Sequence, residues 1–365
     1  MVNHHFCFGP RRLPGGRGLA FGFMAAIAMW MLAAGSLAFA AEGLVSGIGT
    51  SLLEDPAAAG EEAARLAKEA FGPGQAKVAL VYAAIPQLTP ELIEGVARHF
   101  PAEIIHGAQT AAPLTPETNC ADAPDLDADI GVGVLALGGD LDISFFSEST
   151  ALPEGAELPA ADTLERPEFA VYRLSGRRLG ASLAAAVAGS DRPGRLAVVS
   201  GDQSNGPNYE FALGLLDALG GSLPVVGGAS ARGLADNLDR EIVAGRIVSG
   251  TNFAILICGD FRLGQSRETG PHTPETTDQS IASALAQGGG AQPLLAFIFD
   301  CRRRRMVMRD EDLLADEHGV FVRRMGGRPF FGMYGPGEIG STAAGEPFGG
   351  VGFSVSTAVL FPPGE

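Results

Sequence analysis

Two glycine landmarks recur along this chain at nearly one spacing. His106-Gly107-Ala108 stands 121 residues before Gly227-Gly228-Ala229, and Gly139-Asp140 stands 120 before Gly259-Asp260. Two landmarks holding one offset predict an internal duplication, so whatever the first half folds into, the second half repeats.

The elements between the landmarks follow the same order twice. Pro56 to Phe71 has helical periodicity and stops at Gly72-Pro73-Gly74. Lys77 to Ala84 reads as a strand, and Thr89 caps a second helix that has Pro90 in its first turn and ends near Phe100. Glu103 to His106 is a short strand, followed by a polar loop from Thr110 to Asp129. Ile130–Leu137 and Leu141–Phe146 then meet at Gly138-Gly139-Asp140 as an expected hairpin. The second pass gives a strand at Arg195–Ser200, a helix at Asn208–Leu219, a strand at Leu223–Val226, a hairpin around Ala244-Gly245-Arg246 and a strand at Ala254–Cys258. A third, shortened copy has strands at Pro293–Phe299 and Pro329–Met333, a helix within Arg309–Met325, and a closing strand at Phe353–Phe361. The pattern predicts an α/β protein of two related halves, 41–190 and 191–365, with helices packed on mixed β-sheets. The boundary is expected in the acidic, proline-bearing stretch Leu152–Pro167 or just beyond it, and Thr269–Thr277 is a second linker candidate.

Residues 1–40 read as an address. Arg11, Arg12 and Arg17 precede an apolar stretch from Leu19 to Leu37, and Ala38-Phe39-Ala40 supplies a cleavage pattern before Ala41. An uncleaved membrane anchor is the alternative, because the run is long enough to span a bilayer. Either reading places the folded part outside the cytoplasm, periplasmic or secreted. The whole chain carries 26 Lys plus Arg against 42 acids, and all three basic residues of the first forty lie in the leader. The remainder is therefore more acidic still and repels phosphate backbones, which excludes nucleic acid as a partner.

The familiar catalytic patterns fail on context. Gly335-Pro336-Gly337-Glu338-Ile339-Gly340 spells GxGxxG but runs into Ser341–Pro347, a loop, where a dinucleotide site needs a helix. Ser204 and Ser230 lie near strand ends without the flanking glycines of a nucleophile elbow, and a serine hydrolase survives only as an unrecognised variant. Cys120, Cys258 and Cys301 are too widely spaced for a zinc site and odd in number for a disulfide framework. Arg302–Arg305 is either an anion site at a strand's carboxyl end or a solvated turn pairing with acids such as Asp310. His106 ends an apolar strand and could wall a pocket or serve as an axial ligand. What remains is binding: three glycine-rich turns, His106-Gly107-Ala108, Gly227-Gly228-Ala229 and Tyr334-Gly335-Pro336-Gly337-Glu338, where a ligand can approach the backbone. Glu338 could receive an amine or hydroxyl, and Cys301 stands at the neighbouring junction.

Pro329-Phe330-Phe331-Gly332-Met333-Tyr334 leading into Gly337-Glu338-Ile339-Gly340 resembles the closing motif of FIST domains. Phe299-Asp300-Cys301-Arg302-Arg303, Pro224–Ala229, Gly245-Arg246 and Gly259-Asp260 resemble further parts of that family, and Gly47–Ser51 with Val78–Tyr82 resemble its opening. The likeness runs from about Leu44 to Leu360. It implies an N-terminal FIST-like half at 41–190 and a C-terminal one at 191–365. It also implies a sensory module for small ligands such as amino acids, without enzymatic activity, acting through a separate signalling protein. Some relatives look like haem-dependent nitric oxide sensors, which makes haem an alternative cofactor where the main reading has none. Two stretches depart from the family pattern: His106-Gly107-Ala108-Gln109-Thr110-Ala111 stands where the family has a glycine, small hydroxyl residues and another glycine, and Ser354–Thr357 lacks its asparagine. A structural assembly part is the remaining alternative.

Overall fold

A computed structural model describes residues 43–120, 130–151, 155, 158–160, 169–202, 206–233, 238–340, 349–351 and 353–364. The leader, most of the expected boundary stretch and Ser204 lie outside the described residues.

The first repeat runs β1 (Leu44–Ser51), α1 (Pro56–Phe71), β2 (Ala76–Ala84), α2 (Pro90–Ala97), β3 (Ile105–Thr110), β4 (Ala112–Leu114) and β5 (Val132–Gly139). The second runs β6 (Leu141–Ser149), α3 (Ala170–Ala188), β7 (Gly194–Gly201), α4 (Gly206–Leu219), β8 (Val225–Ala229), β9 (Glu241–Val243), β10 (Arg246–Val248) and β11 (Thr251–Gly259). The third is complete rather than shortened: β12 (Arg262–Thr269), α5 (Pro274–Ala286), β13 (Leu295–Cys301), α6 (Arg302–Asp310), α7 (Leu314–Met325), β14 (Phe330–Gly335), β15 (Glu338–Gly340), β16 (Gly349–Val351) and β17 (Ser354–Phe361). Local chemistry sets the helix starts, with Asp55 accepting from Ala58 N and Thr89 from Leu92 N.

Each repeat contributes four strands to one mixed sheet, in the orders β1-β5-β2-β3, β6-β11-β7-β8 and β12-β17-β13-β14. The strand that follows the third of these leaves for another sheet. β4 extends β14, the β9–β10 hairpin extends β3, and β15 with β16 extends β8. The repeats are thus locked by a cyclic exchange of edge strands, which also covers three otherwise open sheet edges. The inner faces of all three sheets share one core, including Leu80, Val198, Ile255, Phe297, Phe299 and Phe331, while the helices cover the outer faces.

This topology corrects two expectations. Gly138-Gly139-Asp140 is not a hairpin turn: Gly139, at φ +91°, turns the chain so that β6 departs to pair with β11 in the next sheet. Gly259-Asp260 makes the same departure from β11 to β12, which is why that landmark recurs. The loop after Thr110 contains β4, three residues long and carrying Pro113, too brief to show a strand period.

The register aligns the copies residue by residue. Gly107 faces Val81, Gly227 faces Val199 and Gly332 faces Ile298 across the parallel strand pairs. A Cβ at any of them would lie 1.8, 2.0 or 1.5 Å from the opposing carbonyl oxygen, so each repeat requires glycine there. The first landmark therefore holds the 120-residue offset, one fewer than the sequence pairing of His106 with Gly227 suggested.

Candidate functional site

Glu338 opens β15 opposite Gly228 of β8. It is fully buried, and its Oε2 accepts from Ser354 N at 3.2 Å and Ser354 Oγ at 3.1 Å, with the Cys301 thiol donating as well. Its Oε1 finds no partner among the described residues. Burial, then the nearby charge of Asp300, raises the carboxyl well above its ordinary value.

Arg267 reaches the same space from β12, where it stands opposite Ser356 of β17. Burial lowers its pKa, Glu338 acts in the opposite sense, and its Nε and Nη1 have no partner among the described residues. Ser356 Oγ and both amide atoms of Asn208, in the first turn of α4, are likewise buried and unmatched. The cluster is continuous: a Cβ on Gly337 would meet Asn208 Nδ2 at 2.8 Å, and one on Gly340 would meet Ser356 Oγ at 2.7 Å. A buried polar group left without a partner costs about 1–3 kcal/mol, and six such atoms in one place call for something that satisfies them. At the margin Phe353 takes φ +70°, is 44% exposed, and stacks on His272 with centroids 5.3 Å apart. Left-handed backbone in an aromatic residue stores strain of a kind found at ligand clamps.

The structure gathers Gly228, Ala229, Gly335, Gly337, Cys301 and Glu338 here. Ala229 N donates to Gly337 O at 2.8 Å, and Gly335 is packed against Ala229 O. Tyr334 turns to the opposite face of its sheet, where its hydroxyl donates to Glu317 and Arg305 lies over its ring. Gly227 packs on β7. His106, Gly107 and Ala108 lie within β3 rather than in a turn at its end. The His106 ring stacks on Phe145 with centroids 4.0 Å apart, and its Nε2 meets Glu103 O at 3.2 Å. With that nitrogen and that ring face engaged and 3% of the residue exposed, His106 does not fit an axial position for haem. Among the described residues no group of three His, Cys, Asp or Glu is placed to hold a metal ion.

The arginine run divides between surface and core: Arg303 is exposed, with its guanidinium 6.0 Å from the centroid of the Phe353 ring. Arg302–Arg305 opens α6, and Arg304 and Arg305 are fully buried. Arg304 pairs with Asp300 at 2.8 Å and Glu317 at 3.5 Å, and Arg305 donates to Cys120 O at 2.7 Å, which ties the third repeat to the loop after β4. Cys120, Cys258 and Cys301 are not in disulfides, and burial pushes the Cys301 thiol up to about 12, too high for a nucleophile. Ser230 is fully buried with Oγ donating to Glu241 at 2.7 Å, not exposed on an elbow. Gly335–Gly340 spans the end of one strand, a bend and a second strand, and Ser341–Pro347, where the helix would follow, lies outside the described residues.

Sequence reasoning missed Arg267, Asn208, Ser354 and Ser356. Arg267 sits in the polar strand Arg262–Thr269, which has no apolar alternation to assign its faces, and only the fold brings it beside Glu338.

No curated protein matches the chain. A scan against protein families matches the FIST N domain over residues 77–272, from β2 into the third repeat and ahead of Cys301 and Glu338. That match covers more than half of the 365 residues, and the chain belongs to the FIST family.

Proposed function

We propose that the chain is an exported sensory protein that binds a small polar molecule between Glu338 and Arg267 and passes the signal to a separate partner. One observation carries this reading: a buried carboxyl and the buried Nε and Nη1 of a half-buried arginine lie close enough to interact, and both groups retain unmatched atoms among the described residues. The pair suits a ligand with an anionic end for Arg267 and a donor for Glu338. A free amino acid has both, and its ammonium would draw the Glu338 proton off on binding. The family supports a sensory role over catalysis, and the inert Cys301 thiol agrees with it.

Export rests on residues 1–40, with cleavage expected before Ala41. No described helix is long and apolar enough to cross a membrane. Mass measurement of the protein recovered from its own cell gives the mature N-terminus. The ligand is tested by thermal-shift titration of the mature protein with the common amino acids and small organic acids. At least one should raise the Tm of the wild type and fail to do so in Arg267→Met; no shift from any of them removes the reading.

A further inference from the structure

The strand exchange places a second carboxyl where the first site has Glu338. Glu241 opens β9 opposite Ala108, and Ala108 follows Gly107 as Gly228 follows Gly227. The register therefore makes Glu241 the counterpart of Glu338. At the same junction Asp202 follows the last residue of β7 in the position that Cys301 holds in β13. The third junction has Pro113 and Ala84 in these two places and is apolar.

Glu241 is fully buried, and Ser230 Oγ donates to its Oε1 at 2.7 Å while its Oε2 has no partner among the described residues. Asp202, 5% exposed, and Asp239, 3% exposed, are its charged neighbours, and Asp239 Oδ1 is also unmatched. Arg232 donates to Asp239 Oδ2 at 2.9 Å, and its side chain is 29% exposed, which marks the solvent edge of the cluster. Three carboxyl groups thus gather beside one arginine, and the unmatched atoms are carboxyl oxygens, which a cation entering the cluster would hold in their ionised, accepting form. The acids are not arranged to hold a metal ion. The complement is an organic cation small enough to reach Glu241.

We propose that the junction of Glu241, Asp202 and Asp239 is a second binding site, distinct from the Glu338 site, and that it takes the protonated amine of a small molecule. The ammonium donates to Glu241 Oε2 and to Asp239 Oδ1, with Asp202 as the remaining counter-charge. The Glu338 site, where Arg267 supplies a cation, does not take a simple amine.

The test uses the full mature protein with n-butylamine as probe and 1-butanol as its neutral isostere, followed by ligand-observed NMR at 0.3 M salt, where attraction to surface acids is screened. The amine should bind and the alcohol should not. Glu241→Gln should weaken the amine about tenfold or more, since a charge-assisted hydrogen bond is lost. Asp202→Asn, in a less enclosed position, should weaken it several-fold, and Glu338→Gln should leave it unchanged. Circular dichroism identifies any variant that fails to fold, and Asp202→Asn then carries the test if Glu241→Gln does not fold. Equal binding of amine and alcohol, or wild-type affinity in the folded acid variants, overturns the proposal. A loss in Glu338→Gln alone assigns the amine to the first site and overturns it as well.

Discussion

The junctions at Glu338 and Glu241 share one backbone and differ in what faces the acid. At the first, Cys301 and Arg267 stand opposite the carboxyl; at the second, Asp202 takes the place of Cys301, and Ser147, exposed on β6, takes the place of Arg267. The exchange of edge strands fixes where an acid is presented, and two substitutions across the gap turn a site for both charges into one for a cation. Chemistry here is carried by the facing strand, not by the motif that bears the acid.

The largest effect should come from the element that both junctions need. Gly332→Val would press a branched side chain onto Ile298 O, where a Cβ already lies at 1.5 Å, and should cost more than about 4 kcal/mol or prevent folding, read by urea denaturation. A folded Gly332→Val protein of near wild-type stability would remove the register on which the comparison rests.

Next comes the pH dependence of the second junction. Burial first, then Asp239, raises Asp202 to about 6 from an ordinary value of about 3.9. The folded state holds that proton more tightly, so Asp202 contributes fully below about pH 3.9, and its contribution is lost as pH rises through 6. The loss amounts to about 3 kcal/mol once ionisation is complete. Glu241 and Glu338 bend the curve in the same direction. Denaturation at pH 5 and pH 8 should show a decline in the wild type that Asp202→Asn reduces. His106 acts oppositely: burial lowers it to about 4, so it contributes above about pH 6.5 and the contribution is lost as pH falls toward 4. His106→Phe should be the more stable of the two at pH 4.

Arg267→Met separates binding from folding at the first junction. Removing the buried, unmatched Nε and Nη1 of this half-buried arginine should raise the stability of the ligand-free protein by about 1–3 kcal/mol while ending ligand binding. A drop in stability would show that Arg267 serves the fold. The smallest effect is expected from Ser147→Arg, which places a cation at the counterpart of Arg267. The position is exposed, so the amine affinity of the second junction should fall only about two- to fivefold.

Much of the fold was legible where one segment determines its own structure. The helix at Pro56–Phe71, the Thr89 cap and the hairpin at Ala244-Gly245-Arg246 follow from local pattern. The third helix was not legible. Its contact stripe uses Gly176 and Gly180, which let its backbone approach α4 closely, and a stripe of small residues carries little hydrophobic period. Arginine at 304 and 305 suggested solvent because composition cannot reveal that Asp300 and Glu317 lie buried beside them. Glu338 was visible from its motif. Its partner Arg267 was not, since pairing across sheets depends on strand order, and the exchange of β4, β9 and β15 between repeats leaves no local trace.

Native mass spectrometry of the mature protein, purified from its own compartment without added ligand, tests the central claim most directly when wild type and Arg267→Met are run together. The account predicts that the wild type carries or takes up a small amino-acid-like mass that the folded variant lacks. The same mass retained by the variant, or a wild type that takes up none of the common amino acids and organic acids, would contradict it.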